Sequence, residues 1–273
     1  MSRQRVQVRE LAAWDLDDYS YRPLTFESKK LSERQHLPGR RSSFRQSEVM
    51  LQKESAELRD LFSPQARRSD LLVEMTGLDW SLGVVDLRQL LAFQRRLFFN
   101  STFVQAPAPA ARDWPALLAF SFGPSKPVEC DMAHDADTKT FVLRSSNPNL
   151  HFRTTNDAAA PLEVHAGGPF FEVACYRGRW FLRDGYHRAY NLLKAGVFEI
   201  PAVIVQARTI EELGATQPWF FSEEVLFSEA PPYVSDFLDD ELIFEYDRPP
   251  LIKTLRVTLE EILAPASMTG EQL

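Results

Sequence analysis

Residues 170–206 constrain the fold of this 273-residue chain more than any other segment. The two-residue link Arg177-Gly178 joins two runs rich in aromatic residues, 170–176 and 179–183. Such a pattern predicts a β-hairpin, because an X-Gly pair supplies the positive φ angles that a tight hairpin turn needs.

A helix and a buried strand follow the hairpin. Ala189, Leu192 and Leu193 keep helical spacing, and Gly196 ends the helix. Residues 202–206 are almost continuously apolar, which predicts a strand buried on both faces. Strand-helix-strand crossovers place the helix amino end at the carboxyl edge of the sheet, so we expect residues 184–188 at a strand-to-helix junction, where anions bind.

The residues of this junction suit phosphate chemistry. Gly185 allows a sharp turn and a close approach to a ligand, the first-turn N–H groups point outward, and Arg188 adds a planar two-pronged donor. Asp184 can cap the helix, orient His187 or accept a proton from a substrate hydroxyl. His187 is the side chain here whose ordinary pKa lies nearest neutrality. We therefore predict Asp184 and His187 as catalytic, and Gly185, Tyr186, His187 and Arg188 as phosphate-binding.

Each of these residues also has a structural interpretation. Asp184 suits a plain N-cap, His187 a structural hydrogen-bond donor, Arg188 an ion-pair partner and Tyr186 a core aromatic. The order of strand, Asp-Gly-x-His-Arg motif and helix is stronger evidence for a phosphate site than any one of these residues alone.

Residues 180–205 resemble the core of the ParB/sulfiredoxin superfamily, in which a strand ends in a Gly-x-x-Arg element that opens a helix, followed by a glycine and a Pro-containing strand. The resemblance implies an α/β (α+β) fold with a mixed sheet that binds nucleotide phosphates at the helix start. Members hydrolyse CTP, phosphorylate free serine, or use ATP to repair a hyperoxidised cysteine. ATP or CTP with Mg²⁺ is therefore the implied cofactor.

The residues of the motif indicate which members of the superfamily this chain resembles most. Sulfiredoxins have a cysteine where this chain has Tyr186, and ParB partition proteins carry Glu-Arg-Arg where it has Tyr186-His187-Arg188. Asp184-Gly185-Tyr186-His187-Arg188 is most similar to the Asp-Gly-His-His-Arg form of the free serine kinases. Those kinases pair the motif with an upstream acidic residue, for which Glu163 and Glu172 are the nearest candidates, each also suited to an ordinary strand or loop carboxylate.

The distribution of charged residues along the chain predicts that it is divided into three segments. Residues 1–68 carry 14 basic and 10 acidic residues, include Lys29-Lys30 and Arg40-Arg41, and are interpreted as a loosely packed, partly disordered extension. That extension is either solvated or an arm that binds a nucleic acid or protein partner. Residues 69–210 form the predicted core. Residues 211–273 are an acidic addition packed on it, in which 233–247 is either a solvated acidic face or a dock for a basic partner or for the chain's own basic arm.

Local patterns predict the remaining elements. We expect a helix over 47–62 that ends before Pro64, a strand over 80–86, a helix over 87–99 capped by Asp86, a strand over 117–122, short helices after Thr209 and Thr258, and a strand over 252–259.

Several function classes are disfavoured. The two cysteines, Cys130 and Cys175, form no C-x-x-C pair, and the acidic and histidine residues of 129–137 fit neither zinc-finger nor EF-hand spacing, so no metal site is predicted. Walker and Gly-x-Ser-x-Gly motifs are absent. The net charge of −7 and the lack of a long apolar run indicate a cytoplasmic protein with no membrane contact. We expect a nucleotide-dependent phosphotransferase or nucleotide hydrolase, with a non-catalytic interaction or DNA-associated module as the rival.

Overall fold

The structure is a computed structural model that describes residues 5–23, 43–45, 49–51, 56–100, 107–124, 127–154 and 161–263. The protein is a mixed α+β fold with several sheets and more strand than helix. Its helices are α1 (Ala56–Gln65), α2 (Ser69–Glu74), α3 (Trp114–Ser121), α4 (Tyr186–Lys194), α5 (Ile210–Leu213) and α6 (Glu223–Leu226). Its strands are β1 (Val6–Leu11), β2 (Met50–Leu51), β3 (Trp80–Asp86), β4 (Leu91–Ala92), β5 (Arg96–Asn100), β6 (Asp131–Asp135), β7 (Thr140–Ser145), β8 (His151–Thr154), β9 (Leu162–His165), β10 (Glu172–Tyr176), β11 (Arg179–Asp184), β12 (Glu199–Ala207), β13 (Ile243–Arg248) and β14 (Lys253–Thr258).

The chain divides into two compact units. The first comprises residues 1–125 and 168–249, and the second comprises 126–167 and 250–273. The first unit holds a six-stranded mixed sheet in the order β2-β3-β12-β10-β11-β4 and an antiparallel sheet in the order β13-β1-β5. The second holds an antiparallel sheet in the order β14-β7-β6 and the hairpin of β8 with β9.

The predicted hairpin and the buried strand are confirmed. β10 pairs antiparallel with β11 across a turn in which Arg177 and Gly178 both have positive φ, of 49° and 74°. β12 is buried over residues 200–205 because it is enclosed between β3 and β10 in the middle of the sheet. The two-residue turn chemistry and the apolar run therefore identified both features correctly.

The predicted crossover is wrong, although the strand-to-helix junction is real. β10 is parallel to β12 but antiparallel to β11, so β11 and β12 run in opposite directions. α4 therefore starts and finishes at the same edge of the sheet. Its amino end still follows the carboxyl end of β11.

Two predicted elements adopt the other secondary structure. The predicted helix over 87–99 is a short 3₁₀ turn at residues 87–89 followed by β4 and β5, because β5 pairs with the distant strand β1. The predicted strand over 117–122 lies instead in α3, whose N-cap Asp113 accepts the N–H of Ala116 at 3.2 Å.

The remaining local predictions have mixed outcomes. The strands over 80–86 and 252–259 are confirmed as β3 and β14, and the helix after Thr209 is confirmed as α5. The helix predicted over 47–62 begins only at Ala56, because residues 50–51 form β2, and it includes Pro64, so the predicted end before this proline is wrong. Residues 259–263, the described part of the segment after Thr258, are not helical.

The basic amino-terminal segment contributes a central strand. β1 pairs with β5 on one side and β13 on the other, and its Arg9 donates to the carboxylates of Asp240 and Glu245. The acidic residues around β13 thus bind the chain's own amino-terminal strand, as one of the two interpretations of that segment expected. Lys29-Lys30 and Arg40-Arg41 lie outside the described residues.

The main hydrophobic core lies in the first unit. It contains large apolar side chains that are fully buried, among them Phe170, Phe171, Phe181 and Phe237. Among the described helices, none is long and apolar enough to cross a bilayer.

Candidate functional site

The junction between β11 and α4 depends on Gly185. This residue occupies the N-cap position with φ of +102°, a backbone conformation that side chains with a Cβ rarely adopt. A Cβ at this position would lie 2.6 Å from the Phe171 ring. The close approach that glycine permits is therefore to a buried phenylalanine of the core.

Asp184 does not cap the helix, so its predicted N-cap role is wrong. The N-cap residue is Gly185, and the Asp184 carboxylate accepts the N–H of Gly185 at 2.5 Å. This bond fixes the carboxylate at the end of β11. The side chain is half-buried and is directly opposite Glu172 on the neighbouring strand.

Glu172 is the carboxyl that the structure adds to the motif. A β-bulge between β10 and β11 leaves Arg183 as an extra residue, and bulges of this kind re-aim side chains beside functional sites. Arg183 donates to the Glu172 carboxylate, which is only 4% exposed. Burial raises the pKa of Glu172 to about 7; Arg183 opposes this effect, while Asp184 and Glu74 add to it.

Tyr186 is fixed inside the protein. Its hydroxyl accepts the backbone N–H groups of Phe93 at 3.1 Å and Gln94 at 3.3 Å, and its ring packs edge-on against Phe93 and Phe237. Burial raises the pKa of the phenol far above its ordinary value. The hydroxyl thus ties the start of α4 to the strand region around β4.

His187 has the contact expected of a structural donor. Its Nε2 lies 2.9 Å from the Phe98 carbonyl oxygen, to which it donates, and its ring meets that of Phe99 edge-on at 5.5 Å. A proton on Nε2 leaves Nδ1 as the basic nitrogen of the neutral ring. Any proton transfer by His187 would therefore use Nδ1.

Arg188 neither forms an ion pair in the described part of the chain nor points outward. Its guanidinium donates to four backbone carbonyls, those of Phe120 at 3.2 Å, Ser121 at 3.3 Å, Pro169 at 2.7 Å and Phe170 at 2.5 Å. Phe120 and Ser121 end α3, whereas Pro169 and Phe170 precede β10. Arg188 therefore joins two chain segments, a role that neither sequence interpretation anticipated.

Only one of the two upstream acidic candidates lies near the motif. Glu172 lies beside the motif, whereas Glu163 lies on β9 in the second unit and pairs with Arg153 at 3.0 Å. Glu74 and Arg183 were not predicted as site residues. A signal for Arg183 existed, because counting outward from the two-residue turn places Glu172 opposite residue 183.

The motif residues line neither of two concavities in the first unit, and they form no metal cage in the part of the chain that the structure describes. Within the described ranges no group of three or more His, Cys, Asp or Glu side chains is arranged to hold a metal ion. Two concavities of the first unit, of about 180 and about 530 Å³, are lined by residues outside the motif. The junction can thus offer the facing carboxyl groups of Glu172 and Asp184, the first-turn N–H groups of α4 and a fixed backbone.

Comparisons with known proteins leave the family open. No protein-family model, curated protein or solved structure matches this chain.

Proposed function

We propose that the protein is a nucleotide-dependent phosphotransferase or nucleotide hydrolase with a ParB/sulfiredoxin-like core in its first unit. One observation carries this proposal. A buried carboxyl with a pKa of about 7, that of Glu172, lies directly across from Asp184 at the start of α4. A carboxyl that titrates near neutrality beside an anion-binding helix start suits proton transfer during phosphoryl transfer.

In this proposal the phosphates bind to backbone. α4 spans nine residues, and the N–H groups of its first turn have no partners within the helix. Those groups, together with the positive end of the helix dipole, would hold the phosphate oxygens. Arg188, committed to four carbonyls, positions this backbone.

The residues present also fit Mg²⁺ bound together with a nucleotide. Mg²⁺ is commonly held by one or two carboxylates, with phosphate oxygens and waters completing its octahedron, so a three-ligand protein cage is unnecessary. Asp184 would supply the carboxylate, and the ion would neutralise charge on the transferred phosphoryl group.

Glu172 would act as the general acid or base. A carboxyl with a pKa of about 7 is present in both protonation states at neutral pH. Its bond from Arg183 holds one orientation, so the proton is exchanged at a fixed place. An acceptor hydroxyl bound near Asp184 would give its proton to Glu172 while its oxygen attacks the terminal phosphorus and the nucleoside diphosphate leaves.

A specific observation favours the rival, a non-catalytic interaction module. The side chains of Tyr186, His187 and Arg188 all bond to backbone groups of the protein itself. In that case the motif stabilises the junction and the partner binds elsewhere on the molecule.

A thermal-shift panel with ATP, ADP, CTP and GTP, each with Mg²⁺, separates these functions, because a ligand bound by the native state alone raises the melting temperature. We expect one nucleotide to shift the wild type and Asp184→Asn to lose the shift. Glu172→Gln should keep the shift and lose release or transfer of the terminal phosphate. Glu163→Gln is the matched control, since it removes a carboxylate in the second unit. No shift with any nucleotide would refute the proposal and support the interaction module.

A further inference from the structure

Two histidines face each other across the hairpin of β8 and β9 in the second unit. His151 and His165 are directly paired in the antiparallel register. Their ring centroids lie 5.0 Å apart, with ring planes at 79°. Side chains directly opposite on one face of a sheet are the closest cross-strand neighbours, so both imidazoles reach the same space.

The turn before β8 orients the His151 ring. The Nδ1 of His151 lies 2.8 Å from the Asn149 carbonyl oxygen, so Nδ1 carries the proton and donates. The lone pair of the neutral ring is then on Nε2. Histidines that bind metal ions commonly donate their other ring N–H to a carbonyl or carboxylate in this way. The amide of Asn147 donates to the Ala166 carbonyl at 3.0 Å, which ties the same turn to the residue after His165.

The ring separation matches that of two ligands sharing one ion. A metal–nitrogen bond is about 2.0–2.1 Å, so two imidazoles bound to one tetrahedral ion have centroids about 5 Å apart. The observed separation of 5.0 Å between the ring centroids is therefore compatible with two imidazoles bound to one ion.

We propose that His151 and His165 bind a divalent transition-metal ion, with water completing its coordination. Two neutral imidazoles suit Zn²⁺, Ni²⁺ or Cu²⁺, whereas Mg²⁺ and Ca²⁺ prefer oxygen ligands. Arg153 and Glu163 form the next cross-strand pair on the same face, joined by hydrogen bonds of 3.0 and 3.1 Å. Their opposite charges leave the face without a strong net repulsion of a cation. The site lies outside the Asp184–Arg188 junction and is independent of the proposed function.

Titration of the full chain with Ni²⁺ and Zn²⁺ by calorimetry tests this site. Wild type should bind one ion per chain. His151→Phe and His165→Phe keep an aromatic ring in the cross-strand pair but remove the nitrogen. Each should weaken binding at least about tenfold, since losing even an outer partner of a metal ligand costs about 10–100-fold.

His134→Phe is the matched control. His134 is an exposed histidine on β6 of the same unit, stacked on Phe141 at 4.4 Å, and its replacement should leave the affinity unchanged. His151→Gln and His165→Gln provide a second pair of variants in case a Phe variant fails to fold. With Cu²⁺, electron paramagnetic resonance should show two equatorial nitrogens in wild type and one in either single variant. An unchanged affinity in both His151 and His165 variants, or no binding by wild type, would overturn the proposal.

Discussion

Arg188 is the residue whose structural role is clearest. Removing its guanidinium takes a donor from four backbone carbonyls, of which that of Ser121 keeps the N–H of Phe171 at 2.8 Å. Each buried group left unsatisfied costs about 1–3 kcal/mol. We expect Arg188→Ala to lower the free energy of unfolding by about 3–5 kcal/mol, measured by urea denaturation followed by circular dichroism. Arg188→Lys should recover part of the loss, because an ammonium can reach some of the same carbonyls.

The control for this experiment is Arg208→Ala. Arg208 is exposed, and its ion pair with Glu212 lies at the surface, so the urea midpoint should not move. If Arg188→Ala unfolds at the wild-type midpoint, the carbonyl contacts do not stabilise the fold.

The carboxyl of Asp236 makes the free energy of unfolding depend on pH. The carboxyl is 6% exposed, and burial raises its pKa to about 7; the N–H of Tyr233 opposes this effect and Asp239 adds to it. The folded state therefore keeps a proton that the unfolded chain releases near pH 4, so this group costs stability as the pH rises from about 4 to about 7.

Asp236→Asn removes that cost and keeps an oxygen to accept the Tyr233 N–H, which lies 2.7 Å from the carboxylate. Relative to wild type, the variant should gain stability between pH 4 and pH 7, by at most about 4 kcal/mol at pH 8. Urea denaturation at several pH values measures the difference, and a difference independent of pH would contradict the assignment.

At the same scale, the sequence allowed part of the site to be predicted. The positions of Asp184 and Gly185 at a helix start could be predicted, because turn chemistry and helix spacing are local. Glu172 was one of two acidic candidates, and turn counting pairs it with Arg183; only the bulge in the folded hairpin brings it opposite Asp184. The role of Arg188 could not be predicted, because its partners at 120–121 and 169–170 come together only in the folded unit.

Among the elements, β1 shows how a polar sequence becomes a central strand. Glu10 is fully buried, and it accepts hydrogen bonds from Arg22 at 2.7 Å, Arg96 at 2.7 Å and Tyr246 at 2.8 Å. These donors come from the loop after β1 and from both neighbouring strands. The buried carboxylate thus fixes the position of β1 in its sheet.

We expect Glu10→Ala to lower the free energy of unfolding by about 3–5 kcal/mol, because it leaves buried guanidinium charge undercompensated. Asp247→Asn is the control: its pair with Arg5 is exposed and should contribute less than about 1 kcal/mol. Chemical denaturation measures both, and equal effects would show that the Glu10 network adds no stability.

Two elements show where local pattern reading failed. Residues 96–100 have apolar spacing that fits a helix and a strand alike, and pairing with β1, almost ninety residues earlier, decides the outcome. For α3 the decisive signal was present in the sequence, because Asp113 followed by Pro115 is a typical helix start. The apolar run of 117–122 fits a strand as well, but the cap before it decides for a helix.

On the scale of the whole molecule, the first unit is interrupted once by the second. The chain leaves the first unit after residue 125 and returns at 168. Phe122 and Phe170 form a β-bridge, and a Cβ on Gly123 would contact Pro169 at 3.9 Å. The ends of the excursion are therefore adjacent, and Arg188 bonds to the backbone of both.

This adjacency predicts that the first unit folds by itself. Replacing residues 126–167 by a short Gly/Ser linker, and ending the chain after Pro249, leaves both of its sheets complete. Because the linker closes a short loop, its entropic cost should be small. The shortened protein should unfold in one cooperative transition by circular dichroism.

Arg188→Ala supplies the quantitative test within the shortened protein. All four carbonyl partners of Arg188 belong to the first unit, so the substitution should cost the same free energy there as in the full chain, within about 0.5 kcal/mol. A shortened protein without cooperative unfolding would show that the second unit is needed for folding. A markedly smaller cost would show that Arg188 acts mainly by holding the ends of the excursion together, since the linker would then perform that task covalently.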